Sequence, residues 1–294
     1  MTTLPEYGYA EGKVSNSMLQ DYLLCRHKAR MRWEQGFKPT PNLLEATLAG
    51  TIVHETLEKY LNKPQYWLPA AANLVIGNNL ISNLTVHRWE EYLRFVESSL
   101  DNRPWLKAPS FNSQRAQRLT TELAPTTPGG MLTPAGFLDV IMVALIKAKL
   151  LRTHEKFGMF EREVQLKTEY KGVSLVGTAD LFQTEPLHIA DYKTGNDAWY
   201  PDKLKNDTQF NLYAYMTQDM LETEKDVTIS LIDLRNGQIT ETSLNPKRDQ
   251  SFLNWLDRAL DMYHSGAETV PVNSSRGCPC YIAKAGRCPY KTSE

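Results

Sequence analysis

The sequence has 294 residues, of which 41% are hydrophobic and 23% are charged. This composition is ordinary for a globular protein and excludes a chain that is disordered throughout. The formal net charge of −1 provides no general attraction to nucleic acid, although local basic patches can still provide it.

The sequence also bears on the compartment. No stretch reaches the roughly 18 consecutive apolar residues that a membrane helix needs. The N-terminus lacks the basic segment and apolar core of a signal peptide. These features predict a protein of the cytoplasm, in a bacterial or phage-infected cell, that makes no membrane contact.

The N-terminal half is predicted to consist mainly of helices. Polar capping signals, such as the one at Ser17, and apolar residues at helical spacing indicate helices over residues 17–34, 43–61, 73–100 and 134–156. The segment 101–133 contains four prolines and a Gly-Gly pair, so it is predicted to be a loop.

The character of the sequence changes at Phe160. Segments rich in β-branched and apolar residues predict strands over 160–169, 173–183, 187–193, 226–234 and 238–243. Two more helices are predicted over 206–222 and 248–264. The whole chain, 1–294, is therefore predicted to be one α/β domain with a mainly helical part (1–157), a sheet-containing core (158–265) and a cysteine-rich closure (266–294).

Two carboxylates and a lysine are predicted to meet in the sheet. Asp191 and Lys193 are two residues apart on one strand, so their side chains project from the same face. Asp180 ends the preceding strand, and the short connection makes the two strands neighbours. Oxygen ligands of this kind hold Mg²⁺ or Mn²⁺, which supports phosphodiester hydrolysis by activating water and offsetting charge on the phosphate. An ordinary strand end with solvated charges also fits a D-x-K pattern.

Four short motifs occur in an order that resembles the RecB-like nucleases of the PD-(D/E)XK type. They are G-x-x-x-H (Gly50–His54), G-x-x-D (Gly177–Asp180), D-Y-K-T-G (Asp191–Gly195) and Q-x-x-x-Y (Gln209–Tyr213). The resemblance runs from about residue 15 to the C-terminus. It implies a restriction-endonuclease-like core, in which helices flank a central mixed sheet.

The resemblance also implies roles for individual residues. The metal ligands would be His54, Asp180, Asp191 and the backbone carbonyl of Tyr192, and Lys193 would be the catalytic lysine. Gln209 and Tyr213 are four residues apart on a predicted helix and therefore share a face. In the family this face helps to position the substrate; a surface glutamine and a half-buried tyrosine are the plainer interpretation.

Three other acidic or histidine patterns compete with this site. The pattern H-E-x-x-E at His54 departs from the zinc-protease motif in its last position, Glu58, which leaves a zinc hydrolase as a remote alternative. Asp139 also fits G-x-x-D, but it falls in the first turns of a predicted helix and is expected to be structural. Glu163 is expected to be exposed, with an additional carboxylate near the metal as the alternative.

The four cysteines indicate a second metal site. They are Cys25, Cys278, Cys280 and Cys288, three of them close together near the C-terminus, and nothing in the sequence indicates secretion. The segment before Cys25 resembles the N-terminal part of iron–sulfur nucleases of the AddB and CRISPR-associated types. That resemblance implies a [4Fe–4S] cluster with four thiolate ligands. Zinc is the main alternative, followed by inert buried cysteines.

A basic stretch with interleaved aromatic residues is the candidate DNA contact. Between residues 102 and 121 the sequence has no acidic residue, and the candidates are Arg103, Trp105, Lys107, Phe111, Arg115 and Arg118. Basic charge beside aromatic rings suits single-stranded nucleic acid, and a solvated loop fits the stretch equally well.

Together these features predict a metal-dependent DNA exonuclease that acts on single-stranded or end-containing DNA, in recombination, repair or phage DNA processing. The alternatives are a non-catalytic DNA-binding or assembly subunit and an endonuclease of the same fold. The near-neutral net charge is consistent with a protein partner that helps to deliver the DNA.

Overall fold

The computed structural model describes residues 12–36, 41–67, 70–71, 74, 134–195 and 198–265. Almost all of the predicted helix 73–100, the predicted loop 101–133 and the cysteine-rich closure lie outside these ranges. No helix within the described ranges is both long and apolar enough to span a membrane.

The described residues form helices and strands in the following order. The N-terminal part contains β1 (Lys13–Val14), α1 (Asn16–Leu24), α2 (Arg26–Ala29), a π-helical segment (Arg30–Glu34), α3 (Pro41–Tyr60), α4 (Pro134–Leu150) and α5 (Thr153–Lys156). The rest contains β2 (Glu161–Tyr170), β3 (Val173–Gln183), β4 (His188–Lys193), α6 (Pro201–Lys205), α7 (Thr208–Met220), β5 (Val227–Asp233), β6 (Gln238–Leu244) and α8 (Gln250–His264).

The predicted helix 17–34 is wrong in two respects. It begins earlier, because Ser15, rather than Ser17, has extended backbone and its hydroxyl accepts a hydrogen bond from the Met18 amide. It is also interrupted at Cys25, whose φ of −165° is extended and whose thiol accepts a hydrogen bond from the Lys28 amide. Cys25 therefore ends α1 and caps α2.

The predicted helix 134–156 is likewise divided. Helix α4 ends at Leu150, and Arg152 follows with a φ of 54° in the left-handed region, which a continuous helix does not allow. Strand β1 was not predicted, because two residues are too few to show a periodic pattern.

The strands form one mixed sheet. Strand β3 pairs along its length with the antiparallel β2 on one edge. On its other edge it pairs with β1 near its start and with the antiparallel β4 near its end. Strand β4 pairs in parallel with β5, and β5 and β6 form an antiparallel hairpin. The site described below lies where β3 and β4 separate.

Helices cover both faces of this sheet. On one face, α1, α7 and α8 contribute Leu19, Phe210 and Leu256 to a core that includes Ile189 of β4. On the other face, α3 and α4 pack against the adjacent β4 residue, Ala190, because neighbouring residues of a strand point to opposite faces. The predicted α/β fold with a central mixed sheet between helices is confirmed.

Candidate active site

Three side chains from three elements lie together at one end of the sheet. His54 comes from α3, Glu163 from β2 and Asp180 from β3, and one potential ligand atom of each lies within 4.8 Å of the other two. Nδ1 of His54 is 3.3 Å from Oδ2 of Asp180. The cluster borders an open cleft of about 750 Å³, which is also lined by Glu55 and Glu58 of α3.

The glycine of the first motif allows α3 to approach β4 closely. A Cβ atom added to Gly50 would lie 3.1 Å from Oγ1 of Thr194, just after the end of β4. Such a distance is tighter than an ordinary contact between non-bonded heavy atoms. Gly50 therefore lets α3 bring His54, one helical turn later, to the end of the sheet.

The carboxylate of Asp180 bridges the point where β3 and β4 separate. The ladder between these strands ends at the Leu181–Ala190 pair, and beyond it the Tyr192 amide donates a 2.8 Å hydrogen bond to Oδ2 of Asp180. The N–H and C=O groups of one strand residue point toward the same neighbouring strand. The carbonyl of Tyr192 therefore points into the same gap as Asp180.

Asp191 and Lys193 project together from one face of β4, as their spacing predicts. Nζ of Lys193 lies 2.8 Å from Oδ2 of Asp191, and the side chain of Asp191 is only 4% exposed. In this arrangement Asp191 faces the lysine and does not belong to the close group of His54, Glu163 and Asp180. Asp191 thus lies beside the group rather than within it.

Helix α7 contacts the lysine through the predicted Q-x-x-x-Y pair. Oε1 of Gln209 accepts a 3.2 Å hydrogen bond from Nζ of Lys193, and Nε2 of Gln209 donates a 3.0 Å bond to the Tyr213 hydroxyl. Gln209 is half-buried and Tyr213 is buried, so the interpretation of Gln209 as an exposed surface residue is wrong.

The glycine of the second motif allows α7 to approach β3. A Cβ atom added to Gly177 would lie 2.6 Å from Cε1 of Tyr213 and 2.9 Å from Cε of Met216. Real contacts between carbon atoms are about 3.5–4.0 Å. Gly177 therefore sets the position of Tyr213, and through it that of Gln209.

Two carboxylates of the site, those of Glu163 and Asp191, have raised pKa values, because burial penalises their charged forms. Burial, together with the nearby charges of Asp180 and Glu58, raises the pKa of Glu163 to about 7. Burial also raises the pKa of Asp191, although the charge of Lys193 opposes this shift. A cation would relieve the repulsion among these carboxylates, since opposite charge favours their ionised forms.

For the two basic groups of the site, His54 and Lys193, attraction to nearby carboxylates outweighs the effect of burial, and their pKa values are raised. Burial opposes protonation of His54, but the hydrogen bond and the charge of Asp180 outweigh burial and raise the pKa of His54. Burial likewise opposes protonation of Lys193, and the charge of Asp191 outweighs it and raises the pKa of Lys193. The lysine is therefore held as a cation beside the carboxylates.

The donor atoms fit a hard divalent cation. Carboxylate oxygens with one imidazole nitrogen suit Mg²⁺ and Mn²⁺, whereas soft metals favour thiolates. His54, Glu163 and Asp180 could all bind the same ion, because their ligand atoms lie within 4.8 Å of one another.

Glu163 is the residue that sequence reasoning undervalued. It is half-buried in the cluster rather than exposed, because the flanking pairs Arg162–Leu181 and Val164–Ala179 place it opposite Asp180. Its φ of 50° lies in the left-handed region, a strained conformation that proteins retain mainly where the surroundings enforce it. The two-residue turn at Lys171 and Gly172 sets a hairpin register that places Glu163 opposite Asp180, and this turn is the signal in the sequence that could have located Glu163.

Several predicted residues fall outside the described ranges. They are the candidate DNA contacts Arg103, Trp105, Lys107, Phe111, Arg115 and Arg118 and the cysteines Cys278, Cys280 and Cys288. Cys25 is described and is buried between α1 and α2. Asp139 lies within α4, as expected.

Comparisons with known proteins bear on the fold and on the family. A solved protein from Eubacterium rectale, described as a candidate exonuclease, shares 13% identity over 100% of this chain and 97% of its own, with a TM-score of 0.52. A second solved protein, SSO0001, shares 18% identity over 64% of this chain and 85% of its own, but its TM-score of 0.32 is too low to compare folds. No curated protein matches the sequence. The family model described as the PD-(D/E)XK nuclease superfamily matches residues 13–293, and the chain therefore belongs to that superfamily.

Proposed function

We propose that the protein is a metal-dependent deoxyribonuclease, and specifically an exonuclease acting on single-stranded or end-containing DNA. The observation that carries the proposal is the convergence of His54, Asp180 and Glu163 beside the Asp191–Lys193 pair. Nuclease chemistry follows from membership of the superfamily. A role in recombination, repair or phage DNA processing belongs to the same proposal.

The metal would be held by His54, Asp180, Glu163 and the Tyr192 carbonyl, with Asp191 available from the adjoining face of β4. When bound, Mg²⁺ or Mn²⁺ activates water and offsets the charge that develops on the phosphate. The first three groups are supported by their mutual distances, and the carbonyl by its direction toward the gap between β3 and β4. Glu163 thus joins the ligands that the resemblance implies.

Lys193 is assigned to the transferring phosphate and the attacking water. It carries a positive charge in a partly buried position, where a fixed cation stabilises developing negative charge more than it could in bulk water. Asp191 holds its ammonium group, and α7 supports it from the other side. This arrangement favours a role for Lys193 in stabilising charge and orienting water.

End-labelled linear single-stranded DNA tests the proposal. The wild-type protein should degrade it with Mg²⁺ or Mn²⁺ and not with EDTA, and Lys193→Ala should lower the rate by at least about 100-fold. Lys167→Ala is the matched control, because Lys167 is exposed on β2 and should leave the rate unchanged. Full activity of Lys193→Ala would overturn the assignment of the site.

Covalently closed circular DNA distinguishes the two kinds of nuclease. An exonuclease leaves closed circles intact, whereas an endonuclease of the same fold opens them. If no DNA is cleaved with either metal while DNA still binds, the alternative of a non-catalytic binding or assembly subunit is favoured.

A four-cysteine cluster is the second part of the proposal. Cys25 is buried at the junction of α1 and α2, and we propose that it joins Cys278, Cys280 and Cys288 around a [4Fe–4S] cluster. Iron, sulfide and zinc analysis of protein purified without oxygen tests this. Four iron atoms per chain, lost in Cys25→Ala, are expected, and stoichiometric zinc without sulfide would contradict it.

A further inference from the structure

Gln209 contacts both members of the Asp191–Lys193 pair. Its Oε1 accepts a hydrogen bond from Nζ of Lys193 at 3.2 Å, and its Nε2 donates to Oδ1 of Asp191 at 3.4 Å. The ammonium group of Lys193 also contacts Oδ2 of Asp191 at 2.8 Å. The three side chains therefore form a closed ring of contacts, with hydrogen bonds between Gln209 and each of the other two residues and an ion pair between Lys193 and Asp191.

The orientation of the Gln209 amide is determined by its partners. An ammonium group can only donate hydrogen bonds, and an ionised carboxylate can only accept them. The amide oxygen must therefore face Lys193, and the amide nitrogen must face Asp191. The reversed orientation would set donor against donor and acceptor against acceptor, so this ring has one stable arrangement.

A second residue of α7 fixes the amide in place. Nε2 of Gln209 also donates a 3.0 Å hydrogen bond to the hydroxyl of Tyr213, which in turn bonds to the backbone of Thr178 on β3. Both N–H groups of the amide are thus engaged within the protein. Gln209 therefore has no N–H group left to donate to a phosphate oxygen of DNA.

We propose that Gln209 is a positioning residue for Lys193 rather than a contact to DNA. It holds the ammonium group at a fixed place relative to Asp191, and so reduces the freedom of a long side chain with several rotatable bonds. Small displacements of a reacting group strongly reduce rates, so this restraint supports the chemical step. The inference rests on the proposed function, because it assumes that Lys193 acts in catalysis.

Replacement of Gln209 by methionine tests the inference, because Met has similar length but neither donates nor accepts as the amide does. Gln209→Met should lower kcat roughly 10- to 100-fold, as is typical for residues that orient active-site groups. KM measured with Mg²⁺ should change less than about twofold, and so should the Kd for a single-stranded oligonucleotide, which is measured in EDTA so that the DNA is not cleaved. Gln165→Met, on the exposed side of β2, is the matched control and should match the wild type.

The double variant Lys193→Ala/Gln209→Met provides the sharper test. If Gln209 acts through Lys193, the double variant should be no slower than Lys193→Ala alone, since coupled residues are non-additive. Additive losses, or a weaker Kd with unchanged kcat, would show that Gln209 contacts DNA and would overturn the inference.

Chemical labelling of Lys193 tests the geometry without any catalysis. An amine reagent followed by mass spectrometry should modify Lys193 faster in Gln209→Met than in the wild type, while Lys167 is labelled equally in both. Equal labelling of Lys193 would refute the inference. Failure of the proposed function would appear separately, as wild-type protein that cleaves no DNA with Mg²⁺ or Mn²⁺, and the labelling result does not depend on cleavage.

Discussion

Replacing Gly177 by alanine should disturb the active site indirectly, by displacing Tyr213 of α7. The added methyl group would lie 2.6 Å from Cε1 of Tyr213 and 2.9 Å from Cε of Met216. Normal carbon–carbon contacts are about 3.5–4.0 Å, so the Tyr213 ring must move by roughly 1 Å. The methionine methyl group ends a flexible side chain and can yield, whereas the ring is packed against Phe210. The cost of the substitution therefore arises at Tyr213, whose displacement disturbs its packing against Phe210.

Gly177→Ala is expected to lower both the stability of the fold and the nuclease activity. Inserting a methyl group into a packed interior typically destabilises a protein by about 1–3 kcal/mol. A shift of roughly 1 Å also breaks the 3.0 Å hydrogen bond between Gln209 and Tyr213. Because misplacement by about 1 Å can lower a rate by about 100-fold, activity should fall more than stability does.

Urea denaturation measures the loss of stability, and the DNA cleavage assay measures the loss of activity. Gly195→Ala is the control for stability, because a Cβ atom there meets nothing within 4 Å. The cost of Gly177→Ala should shrink in a Tyr213→Leu background, since the clash partner is then smaller. Wild-type stability together with wild-type activity in Gly177→Ala would refute the reasoning from close approach.

Three further predictions concern other parts of the molecule. Burial lowers the pKa of His188, so its charging should destabilise the folded state as pH falls below the ordinary value of about 6.5. His188→Gln should therefore lose less stability than the wild type between pH 7 and pH 5 in thermal denaturation, and equal losses would contradict this. Glu163→Gln should weaken Mn²⁺ binding roughly tenfold by electron paramagnetic resonance, and unchanged affinity would remove Glu163 from the ligands. Asp249→Ala should destabilise the protein by about 1 kcal/mol, because the Asp249 side chain caps α8 by accepting from two backbone amides; a negligible change in urea denaturation would show that water replaces the cap.

The main strands could be predicted from the sequence because their apolar patterns are local. Segment 173–183 was predicted with the bounds that β3 has, and the two-residue spacing of Asp191 and Lys193 does place them on one face. The motif order also indicated that His54 and Asp180 would meet, and their side chains are in contact. Such features follow from periodicity and from the order of short motifs.

The parts that could not be predicted depend on contacts between distant segments. The close group around Glu163 forms only because α3, more than a hundred residues earlier, brings His54 to the end of the sheet. The interruption at Cys25 goes against an apolar pattern that continues through it. The contacts that Gln209 makes with Asp191 and Lys193 depend on how α7 packs against the sheet.

Oδ2 of Asp180 accepts the hydrogen bond of the Tyr192 amide, and this affects how variants of Asp180 should be interpreted. That oxygen closes the sheet where the ladder between β3 and β4 ends, so Asp180→Ala removes a backbone restraint as well as a charge. Inactivity of the alanine variant is therefore ambiguous between lost architecture and lost chemistry. Asparagine keeps one oxygen that can accept the hydrogen bond of the Tyr192 amide, while it loses the charge and replaces the second oxygen with an NH₂ group, so Asp180→Asn preserves the backbone restraint and removes the anionic ligand.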